Sequence, residues 1–410
     1  MLKISQTFPR MGIKDVKSAV INALASSDLK QKVQPGMKVG ITAGSRGINN
    51  IPLILREVVS YVKSLGANPI LLAAMGSHGG GNPEGQREIL KSLGISEESV
   101  GAPVICSTDC TEVGRAFYGE VFINSKALEC DALILINRIK PHTSFHGDYE
   151  SGLLKMLVVG LGGPLGAASF HKCQPQFLSK AVAEGAKIAL QAVSIASSLA
   201  ILEDAYDETR KLVSISTEEL YEVECKLSNE ARKYLPGLPT QDLDILIVDK
   251  IGKNYSGTGI DTNVVGRLRI QGSPEPESPK IKRIVVLDVA PEAHGNAYGI
   301  GLADFTTARL VDKIDRRTVY LNALTSTFVQ RAMIPMTCPN DYGAIVSALR
   351  SLGSVNASEA RVIRIHNTLH LNEMLVSENV FHEIKDLPII QRMSPPQEIK
   401  FDREGNLLPF

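Results

Sequence analysis

The chain has no excess of either charge: lysine plus arginine and aspartate plus glutamate number 44 each. A balanced surface exerts no general pull on a phosphate backbone, so nucleic acid is not an expected partner. No uninterrupted apolar run reaches the ~20 residues that a membrane-spanning helix needs. The opening residues, Met-Leu-Lys-Ile-Ser-Gln-Thr-Phe, lack the apolar stretch of a signal peptide. The six cysteines, at 106, 110, 130, 173, 225 and 338, form no Cys-x-x-Cys pair and no regular spacing. A disulfide framework or zinc knuckle is therefore not expected, and reduced thiols in a soluble cytoplasmic protein are. Also missing are a Gly-x-Gly-x-x-Gly fingerprint and the Lys-Ser/Thr pair of a phosphate-binding P-loop, which removes support for a dinucleotide or ATP.

What remains is the ordinary balance of a globular protein, 44% hydrophobic and 21% charged, over 410 residues. That length predicts two domains. Lys38 to Thr42 reads as a short buried strand, followed by a helix capped at Asn49 or Asn50 and stopped at Gly66, then a strand from Asn68. Val104 to Cys106 and Asp131 to Asn137 extend the same sheet. After the Pro/Gly linker Tyr234 to Thr240, a second α/β unit opens with Asp244 to Asp249. Its strands are expected at Arg283 to Val289 and Arg361 to Ile365, with helices near Asp304 to Ile314 and Tyr342 to Leu352. The expected organisation is two α/β domains with mixed or parallel sheets, helices on their faces, and the site in the cleft between them. The first covers residues 1–238 and the second 239–395, and a tail, 396–410, packs back on the first.

Several residues stand where open α/β sheets bind ligands, just beyond strand carboxyl ends. Ala43-Gly-Ser45-Arg46-Gly suits a single phosphate, and equally a plain turn with an exposed arginine. Met75-Gly76-Ser-His78-Gly-Gly-Gly places a histidine before a glycine run; solvation in a loop is its bland alternative. Asn137-Arg-Ile-Lys-Pro-His142-Thr-Ser-Phe-His146 follows another strand with two histidines. Lys155 then sits alone in an apolar, glycine-rich segment, Gly152 to Leu161. A buried ammonium is costly, and a lowered pKa turns the amine into a nucleophile or attachment point; an amine reaching solvent from a helix edge is the alternative. His171 follows beside Phe170 and Lys172, where a surface or helix-capping role is also open. Cys173 reads as a small buried thiol. The loop from Lys250 to Asn263, which holds Lys253, is too rich in functional side chains to be only a turn.

Taken together, Gly-Ser-Arg-Gly, Met-Gly-Ser-His-Gly-Gly, Asn-Arg-Ile-Lys-Pro-His-Thr, Glu-Ser-Gly-Leu-Leu-Lys-Met and Ser-Phe-His resemble the nickel-dependent lactate racemase family. The resemblance is sharpest between residues 43 and 171. It implies a nickel-pincer nucleotide, a nickel-containing pyridinium-3,5-bisthiocarboxylic acid mononucleotide, joined covalently to Lys155 through one thiocarboxylate arm. It implies His171 as the nickel ligand, His78 and His142 as paired acid/base residues, and Arg46, with Ser45 and Gly76, at the cofactor. Lys253 is expected to meet the substrate carboxylate or the cofactor. Proteins that synthesise the cofactor are implied as partners. The residue types suit the chemistry. Removing hydride from a 2-hydroxy acid leaves a planar 2-keto acid that can take hydride back on either face. The hydroxyl proton must leave and return in step, a task for two histidines.

Two departures stand out. An acidic residue is expected where Ala43 stands, and the segment from His142 to Lys155 is longer than expected, so His146 competes with His142 as second base. These departures favour a substrate other than lactate: a sugar acid, a dicarboxylate or a longer hydroxy acid. Two other functions stay open. A hydrolase would use His78, His142 or His146, and His171 as zinc ligands, and a non-catalytic homologue would only bind a nucleotide.

Overall fold

The computed structural model describes residues 1–410. The chain divides into two compact units, Pro9–Leu235 and the combination of Met1–Phe8 with Pro236–Phe410. Both are α/β.

In Pro9–Leu235 a six-stranded sheet runs in the order Val104–Ile105, Asn68–Ala73, Lys38–Ala43, Ala132–Arg138, Ile195–Glu203, Thr209–Ile215. The first five strands are parallel, and Thr209–Ile215 closes the edge antiparallel. Alternate residues point to opposite faces, and both faces are apolar: Ile134 and Ile136 enter one core while Leu133 and Leu135 enter the other. Burying each such leucine or isoleucine contributes about 1.5–3 kcal/mol. The helix Ile51–Ser64 covers the first face with Ile54, Leu55, Val58 and Val62; Leu178–Ala192 covers the second with Ala181, Val182 and Ala186. Asn50 does precede the first helix, but in the left-handed region (φ 59°) and without a side-chain cap bond. Asn82 caps Pro83–Ser92 through the Gly85 N–H, as the Asn-Pro pair predicts.

A hairpin, Cys110–Ala116 with Gly119–Asn124, was not apparent from the sequence. Thr209–Ile215 was also not apparent, and Ile195–Glu203 starts earlier than the apolar run Leu199 to Glu203 implies.

The other unit is built on an eight-stranded sheet. Its order is Met336–Cys338, Phe305–Thr307, Lys280–Val289, Asp242–Ile251, Val362–Ile365, Glu373–Val376, Leu2–Gln6, Ile390–Arg392. The segment expected as a helix from Asp304 opens instead as the strand Phe305–Thr307, and only Ala308–Asp312 is helical. Two expectations about the ends are corrected. Leu2–Gln6 belongs to this unit because it pairs antiparallel with Glu373–Val376 and Ile390–Arg392, burying Leu2 and Ile4 in its core. The tail packs on this unit too, not on the first. The Leu407 N–H meets Asp341 (2.8 Å), Arg309 meets Asn406 (2.7 Å), Arg364 meets the Leu408 carbonyl (2.9 Å), and Phe410 stacks on His366.

No single helix is long and apolar enough to cross a membrane. The most apolar pair, Leu153–Gly160 and Gly163–Phe170, bends through 108°.

Candidate active site

Three loops leave the carboxyl edge of the parallel sheet in Pro9–Leu235, after Lys38–Ala43, Asn68–Ala73 and Ala132–Arg138. Parallel strands put all three at one edge, where loop amides and side chains are available to a ligand. The first loop holds Ser45 and Arg46, the second Gly76 and His78, the third His142 and His146. Ser45 Oγ and His78 Nδ1 share a short hydrogen bond, which joins the first two loops. Gly76 is buried with φ +58°, and its N–H donates to the Gly160 carbonyl (3.1 Å). A Cβ there would stand 3.1 Å from the Val159 carbonyl oxygen in a backbone conformation that disfavours side chains. Gly76 thus ties the second loop to the segment that carries Lys155.

Lys155 ends the short helix Leu153–Lys155, which runs on as a wider π-turn, Met156–Gly160, closed by Leu161 N–H to the Met156 carbonyl (2.9 Å). Such turns insert an extra residue and often mark functional sites. Gly163–Phe170 follows, and His171 sits at its end with its N–H on the Ala167 carbonyl. The Lys155 side chain keeps some access to solvent, but its amine is enclosed. Burial, with Arg46 adding repulsion against a partial offset from Glu150, lowers its pKa to about 7. Burial and the charge of Lys155 lower His171 to about 4. Arg46 is lowered as well, by burial and by Arg138, although its side chain reaches solvent. A side chain crowded by protein yet open to solvent lies in a concave site. Phe145 forms one wall: its ring is 5.3 Å from Lys155 Nζ on one side and 4.4 Å from the His142 ring on another.

Two buried carboxylates that the sequence did not reveal organise this neighbourhood. Glu150 is 1% exposed; it accepts from the His142 N–H (2.6 Å), the Gly147 N–H (3.1 Å) and Arg232 (2.5 Å), and faces His146 Nδ1 at 3.5 Å. Burial works to raise its pKa, but the His146 bond and the two N–H groups outweigh that and the net displacement is downward. Glu224, in the helix Leu220–Lys233, accepts from the Leu153 (2.8 Å) and Leu154 (3.0 Å) N–H groups, the exposed donors at the start of the Lys155 helix. Burial nevertheless raises it to about 7. A Cβ at Gly152 would stand 2.5 Å from the Glu224 carboxylate, so a side chain there would displace it.

The structure therefore gathers Ser45, Arg46, Gly76, His78, His142, His146, Lys155 and His171 in one unit. Lys253 lies in the other, its amine on the Gly257 carbonyl (2.6 Å) and over the Tyr298 ring (4.7 Å). No three His, Cys, Asp or Glu side chains come together so as to hold a metal ion, which counts against the zinc trio of His78, His142 or His146, and His171. A single imidazole held neutral, beside a neutral-prone amine and an arginine, does suit a metal that arrives with its own ligands on an anionic cofactor.

Comparisons with known proteins agree with this picture at the level of the fold. The family described as "Domain of unknown function (DUF362)" matches residues 37–217, less than half of the chain; the match takes in Ser45, Arg46, Gly76, His78, His142, His146, Glu150, Lys155 and His171, but not Glu224, Arg232 or Lys253. No curated protein matches. Among solved structures, the lactate racemase apoprotein from Thermoanaerobacterium thermosaccharolyticum superposes with a TM-score of 0.52 at 13% identity, covering 90% of this chain and 98% of that one. At that identity the likeness is one of fold, a two-domain α/β architecture shared along nearly the whole of both chains.

Proposed function

We propose that the protein is a racemase or 2-epimerase of a 2-hydroxy acid, working with a nickel-pincer nucleotide carried on Lys155. The observation that carries this reading is the pairing of Arg46 with Lys155. These two cations lie in each other's field, and the nearby carboxylates are engaged elsewhere, Glu150 with Arg232 and Glu203 with Arg138. Such a pair favours an incoming anion, and a mononucleotide phosphate with a thiocarboxylate arm is one. The likeness of fold to a lactate racemase apoprotein supports the same reading.

Each residue then has a task. Lys155 offers an amine that is partly neutral near pH 7, the nucleophilic form by which it would hold a thiocarboxyl arm of the cofactor. His171 offers a lone pair at neutral pH, the state in which imidazole binds a metal. Arg46 holds the phosphate, with Ser45 next to it in the same loop and Gly76 in the second loop. His78, and His142 or His146, take the hydroxyl proton of the substrate and return it. When bound, the cofactor supplies a hydride acceptor, so that C2 passes through a planar 2-keto acid. The partners required are proteins that make the cofactor.

The test is intact mass and metal content of protein produced together with the cofactor-synthesis enzymes. A mass increase that maps to Lys155, with near-stoichiometric nickel, is the expected result, followed by exchange of C2 configuration in a panel of 2-hydroxy acids. An unmodified Lys155 in cells that demonstrably make the cofactor would overturn the reading.

A further inference from the structure

The two histidines of the third loop are held in opposite ways, and this assigns them different work. The Ser144 backbone N–H donates to His142 Nδ1 at 3.0 Å. A backbone N–H can only donate, so Nδ1 must present its lone pair, and the proton of the neutral ring sits on Nε2. A ring in that state donates from Nε2. To accept a proton there it would first have to give up the one on Nε2, either by moving it to Nδ1 against the Ser144 N–H or by becoming an anion. Its backbone is equally fixed, through its own N–H to Glu150 (2.6 Å). His146 faces the same Glu150 with Nδ1, at 3.5 Å. A carboxylate only accepts, so it favours the proton on Nδ1 and the lone pair on Nε2, the orientation in which a ring accepts a proton from a substrate. Glu150 is buried, further fixed by Arg232, and close enough to act on the Lys155 charge. It thus ties both rings to the neighbourhood of the attachment lysine.

We propose that His146, oriented by Glu150, is the second proton-accepting residue of the site, and that His142 serves as an Nε2–H donor to a substrate oxygen. This rests on the function proposed above. In the forward step the substrate hydroxyl proton passes to His146 Nε2, giving an imidazolium whose Nδ1–H stays on Glu150; in the reverse step the same proton returns. His142 neither gains nor loses a proton. Glu150 is a positioning residue and does not touch the substrate.

The ring tautomers are read directly by nitrogen-15 NMR of histidine-labelled protein without cofactor, assigned with His142→Gln and His146→Gln. His142 is expected to show the Nε2–H tautomer and His146 the Nδ1–H tautomer. Glu150→Gln should move the His146 signals toward the tautomer average while His142 keeps its proton on Nε2. A His142 ring protonated on Nδ1, or a His146 ring averaging freely in the unaltered protein, overturns the proposal. In protein shown by mass to carry the cofactor, His142→Gln, whose amide still donates, should retain activity to within about tenfold, whereas His146→Gln should lose roughly 100-fold or more. The opposite order overturns it. If the loaded protein turns over no 2-hydroxy acid, the function fails, and the NMR result still decides the tautomers by itself.

Discussion

The charge of Lys155 adds to burial in driving the His171 imidazole down to about 4, so the ring enters neutral solution as a lone-pair donor. The amine is itself displaced, to about 7, chiefly by burial. These displacements belong to the bare protein, and they have consequences for stability that need no cofactor to observe.

Between pH 7 and 10.5 the unfolded chain keeps a proton on Lys155 that the folded chain has lost. More protons on the unfolded state means stability rising with pH, so this residue costs most at and below pH 7 and nothing above about 10.5. Lys155→Met should therefore stabilise the protein at pH 7, by on the order of 1–3 kcal/mol, with the gain shrinking toward pH 10. Urea unfolding at pH 7 and 9.5 measures it. A gain that is equal at both values would mean the amine is not displaced.

Glu224 has the opposite sign. Its folded pKa, about 7, is above its ordinary 4.5, so between those values the folded state holds the extra proton and stability falls as pH rises. Glu224→Gln keeps an acceptor for the Leu153 and Leu154 N–H groups and removes the buried charge. The expected outcome is no change at pH 4.5 and a gain above pH 7 of at most about 3 kcal/mol. Glu224→Ala removes the acceptor itself and should destabilise at every pH, by about 1–3 kcal/mol for each orphaned donor. Thermal unfolding across this range separates the two variants.

These carboxylates also mark where the sequence stopped being informative. The Asn82-Pro83 cap, the parallel strands and the glycine-flanked lysine depend on local rules and could be read from neighbouring residues. Glu224 acts on amides about 70 positions away, from a helix whose sequence is that of an ordinary amphipathic one. Its spacing from Leu220, Leu227 and Ala231 puts it on the buried stripe, unlike Glu222, which pairs with Lys226 in solvent, but that spacing does not say which amides it meets. The hairpin Cys110–Ala116 with Gly119–Asn124 lacks a clean alternation, because Thr111 and Glu112 are both exposed and a bulge interrupts the register before Gly114. The residues that the resemblance to a racemase family implies, from Ser45 to His171, lie within the unit Pro9–Leu235, and Lys253 lies in the other.

The Ser45–His78 bond predicts a graded response at the first base. His78→Ala should leave the mass of the loaded protein unchanged and lower turnover by about 100- to 10,000-fold, the usual worth of a general base. Ser45→Ala leaves the ring in place without its Nδ1 partner. A net hydrogen bond of about 1 kcal/mol corresponds to a fivefold to tenfold loss in kcat, which Ser45→Thr should restore. If Ser45→Ala instead sheds the cofactor, the serine holds the cofactor rather than the histidine.

The tail makes a prediction confined to its own unit. Asp341 is buried, and its carboxylate is held by Arg309 (2.8 Å) and by the Leu407 N–H (2.8 Å), while burial pushes its pKa up. Phe401 and Leu407 pack on the core that contains Ile245, Ile247 and Ala344, and the Phe410 ring lies 4.0 Å from that of His366. Removing Phe401–Phe410 takes away one of the two donors on a buried carboxylate along with this apolar cover, a loss on the order of 3 kcal/mol. Hydrogen exchange should quicken in Asp341–Arg350 and Val362–Ile365 and stay unchanged in Lys38–Ala43 and Ala132–Arg138. The reverse pattern would place the tail on the unit that carries Lys155, as the sequence alone suggested.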